Sequence, residues 1–179
     1  MICLVGPTCS GKTTVLNELT KLGYGRVVTM TTRPMRPGEI EGQTYYYRSK
    51  EEFNRLIHYD FFAETTSYNV ANGETWYYGT PKEELFGDKA IILNPDGLKS
   101  LAGKYKMKVF HLWVPEEVIR QRLIQRGDDP KEADRRVAAD ERDFEDIAKY
   151  VDYFIPDYYE TPANLATKIK SLYELDKAR

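Results

Sequence analysis

The stretch Gly6-Pro7-Thr8-Cys9-Ser10-Gly11-Lys12-Thr13 constrains this chain more than any other feature. It satisfies the pattern G-x-x-x-x-G-K-[S/T], which works only when a strand enters the loop and a helix leaves it. Both flanks comply. Residues 1–5 form an uninterrupted apolar run, as expected of a strand buried on both faces. Val15, Leu16, Leu19 and Leu22 then recur at helical spacing, and Gly23 supplies the stop. In such a loop the glycines let backbone N–H groups point into one concavity, and the helix N-terminus adds partial positive charge, so that the site favours a polyphosphate. Lys12 then reaches the β- and γ-phosphates, and the Thr13 hydroxyl serves a magnesium ion that keeps several waters and bridges phosphate oxygens. ATP with Mg2+ is the expected ligand, surrounded by residues 6–13 and Thr14. Cys9 is given a structural role only, because bound phosphate opposes its thiolate.

The remaining pattern extends this unit into an α/β fold with a parallel central sheet. Residues 90–93 and 109–114 are further apolar runs of buried-strand character, each followed by a segment able to form a helix. Between the first helix and residue 90 come short tyrosine- and threonine-rich pieces at 44–48, 61–67 and 74–78, with Asn72-Gly73 as a candidate hairpin turn. They read as a small inserted β-rich lobe. From Pro115 a helix turns Ile119 and Leu123 inward and ends near Gly127. Asp129-Pro130 opens another, with Ala133, Val137, Phe144, Ile147 and Val151 as its apolar stripe. A last short strand at 153–155 and a closing helix at 162–175 complete the chain. The expected layout is one domain: a core of residues 1–28, 84–123 and 150–179, a lobe of 29–83 and a lid of 124–149.

Composition removes several classes. Lys+Arg 26 against Asp+Glu 28 leaves a formal charge of −2, without the global basic field of a nucleic-acid binder. No run approaches the ~18 apolar residues of a membrane span, and residues 1–5 lead straight into the loop without a basic leader, so a cytoplasmic protein is expected. The two cysteines, Cys3 and Cys9, suit neither a disulfide nor a four-ligand zinc site. No repeat or low-complexity segment is present.

A second anion site is expected after a strand at 26–28, in Thr29-Met-Thr-Thr-Arg33-Pro-Met-Arg36-Pro-Gly38. The prolines hold their preceding residues extended, and at three residues per turn Arg33 and Arg36 emerge on one side, where two guanidinium forks could grip one phosphate. A solvated basic loop is the competing account. Arg120, Arg122 and Arg126 lie on one helix and Arg135, Arg136 and Arg142 on the next, around the tip at 127–130. Salt bridging to Asp128, Asp129, Asp134 and Glu141 competes with a role toward phosphate.

With these motifs the chain resembles the guanylate kinase family over nearly its whole length. Besides the glycine-rich loop, Thr-Thr-Arg33-Pro-Met-Arg36-Pro-Gly-Glu39 is similar to that family's acceptor-phosphate segment, Gly42-x-x-Tyr45 to its tyrosine, Phe62-Ala-Glu64 to its base-reading glutamate, and Tyr77-Tyr78-Gly79-Thr80 to its second tyrosine and hydroxyl. The resemblance implies that Arg33, Arg36, Tyr45 and Tyr78 hold the phosphate of a nucleoside monophosphate, while Thr29, Glu64 and Thr80 face its base. It also implies that Arg126, Arg135 and Arg136 act as lid arginines, with Lys12, Arg33 and Arg36, on the moving phosphoryl group. The stretch between Arg126 and Arg135 is about one residue short of the family pattern, which leaves open which of Arg135 and Arg136 acts.

A carboxylate at Glu64 suits guanine, whose N1–H and exocyclic amine both donate, whereas adenine presents an acceptor there. Where the family carries two aspartates separated by one residue, this chain has Asn94-Pro95-Asp96, leaving Asp96 to serve the acceptor site or magnesium-bound water. The 68–76 hairpin is also longer than usual, which allows a shifted acceptor preference. The implied activity is ATP-dependent phosphorylation of GMP or dGMP, with small nucleotides as partners and no nucleic acid, membrane or obligate protein partner. Two rival readings are a guanylate-kinase-like sugar-phosphate kinase, for which Glu64 is dispensable, and a non-catalytic protein-binding module, which needs neither Lys12 nor the arginine clusters.

Overall fold

The computed structural model describes residues 1–70 and 73–178. Five parallel strands form the central sheet in the order β2-β7-β1-β8-β9: β1 (Ile2–Val5), β2 (Gly25–Arg26), β7 (Lys89–Ile92), β8 (Lys108–Leu112) and β9 (Tyr153–Ile155). All four residues of β1 are buried, because both neighbours pair along its length and layers cover both faces. Ile2 and Leu4 join α1 (Lys12–Lys21) and α6 (Pro162–Lys177) in one core cluster. Cys3 and Val5 alternate to the other face, against Leu98 and Leu101 of α3 (Pro95–Leu101) and Ile147. The result is a three-layer sandwich.

A second sheet of four strands, ordered β4-β3-β6-β5, stands apart from the first: β3 (Met30–Thr31), β4 (Tyr46–Tyr47), β5 (Phe62–Asn69) and β6 (Thr75–Pro81). Its small core is Met30, Phe53 and Phe62, with Phe53 stacked on Phe62 at 4.6 Å. Phe53 comes from α2 (Lys50–His58), a helix absent from the sequence reading of this region, where Ser49 caps the helix by accepting from the Glu52 N–H. Within the candidate turn Asn72-Gly73, Asn72 lies outside the described residues.

Two further expectations are corrected. The second strand of the central sheet is Gly25–Arg26 rather than 26–28, although Val27 N–H still reaches the Ala90 carbonyl at 2.9 Å. The helix opened by Asp129, α5 (Pro130–Asp143), stops before three of the five residues of its expected stripe. Only Ala133 and Val137 pack against α4 (Glu116–Gln125), through Ile119 and Leu123. Phe144, Ile147 and Val151 instead belong to the core cluster beneath the central sheet, reached through a turn of 3₁₀ helix at Ile147–Tyr150. Among the described residues no helix is long and apolar enough to cross a membrane.

Candidate functional site

At the C-terminal end of β1 the glycine-rich loop wraps onto the first turn of α1. Gly6 permits this close approach: a Cβ there would lie 2.5 Å from the Leu112 carbonyl and 2.8 Å from Ser10 Oγ. Lys12 turns back into the loop, donating to Gly6 O at 2.8 Å, Pro7 O at 2.7 Å and Ser10 Oγ at 3.2 Å. Burial pulls its pKa down to about 8, against the opposing pull of nearby Asp140. The loop is fastened from behind by Arg122, which donates to Cys9 O at 2.9 Å and to Tyr158 O at 3.0 Å. Cys9 takes part through its carbonyl, consistent with its structural role.

The loop forms one wall of a cavity of about 420 Å³, within the range of small-molecule sites. Gly6, Thr8 and Lys12 face it from the loop, and Thr29, Arg36, Tyr45, Glu64 and Tyr78 from the second sheet and its connections. Asn94 faces it from the cap of α3, and Arg135, Arg136 and Asp140 from α5. Thus the two expected anion sites open into one space. Pro7, Cys9, Ser10, Gly11, Thr13 and Thr14 belong to the loop and helix behind this lining, and Thr13 and Thr14 are exposed on the first turn of α1.

The paired grip of Arg33 and Arg36 does not form. Arg33 is 5% exposed and is not among the residues lining the cavity. Its guanidinium donates to Glu39 Oε1 at 2.6 Å and to Pro34 O at 2.8 Å, and it lies 5.4 Å from the Tyr45 ring centroid. Glu39 causes the separation. Its second oxygen accepts from the Arg36 N–H at 2.7 Å and the Tyr47 hydroxyl at 2.7 Å, so one carboxylate gathers both arms of the loop while the Arg36 side chain reaches the cavity. Burial alone would raise the Glu39 pKa, but these hydrogen bonds outweigh it and hold the pKa down to about 2. Arg33 therefore supports Tyr45 from beneath; Tyr45 in turn meets Tyr78 edge to face at 5.9 Å.

Glu64 sits at the other end of this wall. Its Oε1 accepts from Thr80 Oγ1 at 2.5 Å, while Oε2 is buried with no partner among the described residues. Burial raises the pKa of this carboxyl, against the hydrogen bonds from Thr80. Thr80 is fully buried and acts on the cavity only through Glu64. An orphaned buried carboxylate oxygen is costly unless a ligand donates to it. Beside it, Asn94 caps α3 by accepting from Gly97 N–H at 2.7 Å, and its Nδ2 donates to Thr66 Oγ1 at 3.2 Å and to the Tyr68 hydroxyl. Asp96, expected at the acceptor site, is exposed in the first turn of α3 and is not among the lining residues. The cap geometry turns Asn94, not Asp96, toward the cavity.

Four of the arginines around α4 and α5, Arg120, Arg126, Arg135 and Arg136, are paired with acids. Arg126 holds Asp128 at 2.6 Å, Arg136 bridges Asp128 at 3.2 Å and Glu132 at 2.9 Å, and Arg135 holds Glu132 at 2.7 Å. Arg120 pairs with Glu116 and Asp134. Asp129 is the N-cap of α5. Arg135 and Arg136 nevertheless both line the cavity, whereas Arg126 does not. The sequence reading missed Asp140, whose Oδ2 accepts from the Thr8 N–H at 2.6 Å, and gave no role of their own to Glu39, quoted there only within its motif, or to Tyr68. For Asp140 the available signal was its position four residues after Arg136, on the same helix face.

A family model described as guanylate kinase matches residues 1–157. The guanylate kinase of Symbiobacterium thermophilum is 32% identical over 100% of this chain and 86% of its own length. That of Clostridium tetani is 37% identical over 74% of this chain and 66% of its own length. Among solved structures, the guanylate kinase from Anaplasma phagocytophilum covers 100% of this chain and 86% of its own with a TM-score of 0.74 at 22% identity, a likeness of fold.

Proposed function

The chain belongs to the guanylate kinase family, and from that premise we propose that its activity, ATP-dependent phosphoryl transfer to GMP giving GDP and ADP, is carried out in the cavity between the glycine-rich loop, the second sheet and α5. The observation that carries this reading is the meeting of Lys12, Arg36 and Glu64 on one lining. A cationic loop, a second cation and a carboxylate with an unused oxygen are what a donor polyphosphate, an acceptor phosphate and a purine edge with two N–H groups would need. In this assignment residues 1–28, 84–123 and 150–179 are the core, 29–83 the acceptor lobe and 124–149 the lid.

Residues 6–14 cradle the ATP phosphates, with Lys12 on the β- and γ-phosphates. Arg36, Tyr45 and Tyr78 hold the acceptor phosphate, Arg33 positions Tyr45, and Glu64 reads the base with Thr29 and Thr80 beside it. Arg135 and Arg136 lie over the transferring group, with Arg126 and Asp96 as outer members. Transfer to an anionic phosphate oxygen needs no protein nucleophile, so the chain's contribution is to align two polyanions and offset their repulsion. Magnesium fits this donor set. Among the described residues no three His, Cys, Asp or Glu side chains form a metal cage, and magnesium needs none when a hydroxyl such as Thr13 joins phosphate oxygens and waters. Bound there, it would offset phosphate charge. The reading calls for small nucleotides and for no nucleic-acid, protein or membrane partner.

A coupled ADP-release assay with GMP, dGMP, AMP, UMP and CMP tests the assignment. Turnover confined to the guanine nucleotides and lost in Glu64→Ala is expected; turnover indifferent to Glu64 would transfer the case to an acceptor without a base.

A further inference from the structure

Asp140 connects two elements that a phosphate donor must also occupy. It lies on α5, and its Oδ2 accepts from the backbone N–H of Thr8 at 2.6 Å, across 132 residues of chain. Thr8 belongs to the glycine-rich loop, whose amide hydrogens are the anion-binding groups of such a motif. Burial, with the Asp143 charge on the same helix, raises the Asp140 pKa, against the Thr8 amide, Lys12 and Arg136, which favour the charged form. The carboxyl oxygen is therefore an acceptor supplied by the chain itself, held by an amide that belongs to the donor's site. An amide N–H at hydrogen-bonding distance from one carboxylate oxygen cannot also serve a phosphate oxygen at full strength, and two anions on one amide repel.

We propose that Asp140 is a positioning residue of the donor site: its carboxylate competes with a phosphate oxygen of ATP or ADP for the Thr8 amide, weakening nucleotide binding and speeding ADP release. The inference rests on the assignment of residues 6–14 to the donor. The competition is local, because the acceptor end of the cavity is lined by Arg36, Tyr45, Tyr78 and Glu64, none of which bonds to Asp140. It is also tied to α5: displacing the carboxylate removes the hydrogen bond joining this helix to the loop, so nucleotide occupancy and the position of Arg135 and Arg136 become linked.

The test uses the full chain with Asp140→Ala and Asp140→Asn, titrated calorimetrically with ATP, ADP and GMP, and with ADP dissociation followed by stopped flow. Asp140→Ala is expected to bind ATP and ADP about tenfold more tightly, the factor that corresponds to about 1.4 kcal/mol, with slower ADP release and GMP affinity unchanged. Asp140→Asn keeps a carbonyl acceptor but loses the charge, so a smaller tightening is expected; it also covers the case in which the alanine variant fails to fold. Unchanged or weakened ATP and ADP affinity in a folded variant would overturn the proposal, as would equal changes for ATP and GMP. Failure of the unsubstituted protein to bind ATP would instead overturn the donor assignment, and the proposal with it.

Discussion

Replacing Glu64 with Gln should move catalysis and stability in opposite directions. One oxygen of Glu64 is satisfied by Thr80 at 2.5 Å and the other is buried without a partner among the described residues. In the free protein the second oxygen costs about 1–3 kcal/mol. The Gln side chain keeps an acceptor for Thr80 and still leaves one polar end unpartnered, but no charge, so the gain is about 1 kcal/mol, or a rise in Tm of about 2–4 °C for a chain of this size. In the complex the same oxygen is to receive N–H groups from guanine, each bond to a charged group contributing about 1.5–3 kcal/mol. The amide offers an N–H where an acceptor is required, and kcat/KM for GMP should fall about 100-fold or more. The stability gain also has a pH signature. Because the folded pKa of Glu64 is raised above its unfolded value, the native state binds the proton more readily, and stability from this group falls as pH rises through that window. The advantage of Gln should therefore be largest near neutrality and vanish in acid. Thermal melts from pH 4 to 8, with GMP kinetics on the same samples, decide the matter. A variant that loses both Tm and activity would refute the claim that the free oxygen is kept for a ligand.

Three other outcomes follow from the same geometry. Lys12→Ala should cut kcat by orders of magnitude with the circular dichroism spectrum unchanged, and in the unsubstituted enzyme kcat/KM for ATP should decline above pH about 8 as the buried ammonium loses its proton. His111 is 8% exposed, and burial together with the nearby Lys12 charge lowers its pKa to about 4; between pH about 6.5 and about 4 the unfolded chain takes the proton that the native chain refuses, so denaturant titrations should show stability falling on acidification by up to about 3 kcal/mol, and His111→Gln should flatten that slope. Gly97→Ala should raise KM for GMP several-fold without changing ATP affinity, measured by steady-state kinetics, because the added Cβ would lie 2.9 Å from Asn94 Oδ1 and 3.3 Å from Glu64 Oε2.

Legibility in the sequence followed physical range. The phosphate loop, β1 and α1 were readable because their signals are local: an apolar run, glycines at fixed spacing and a 3.6-residue period. The second sheet was readable as β-rich, but α2 was not, since one fully buried residue, Phe53, anchors it; the Ser49-x-x-Glu52 capping pattern was the available cue. The stripe from Ala133 to Val151 has helical spacing throughout, yet the chain leaves the helix after Asp143 because Phe144 and Ile147 bury against the central sheet. Periodicity cannot tell which partner a face will meet. The same limit explains Arg33: spacing from Arg36 and the prolines could not show that Glu39, six residues on, would take its guanidinium. Tyr45, Glu64, Tyr78 and Lys12, which line the cavity, could be singled out because their neighbours in sequence carry the pattern. Asp140 was not, since its partner is 132 residues away.

The second sheet has one further consequence. Thr29, Arg36, Tyr45, Glu64, Tyr78 and their supports all come from a single continuous length of chain, residues 29–80, whereas the glycine-rich loop precedes it and α5 follows it. On the proposed assignment, acceptor preference is thus encoded as an exchangeable cassette, open to replacement by recombination at two crossover points without rewriting the residues assigned to ATP. Asn94 is the exception, because it reaches Thr66 and Tyr68 from outside that length, so a transplanted cassette would have to bring its own residue for position 94.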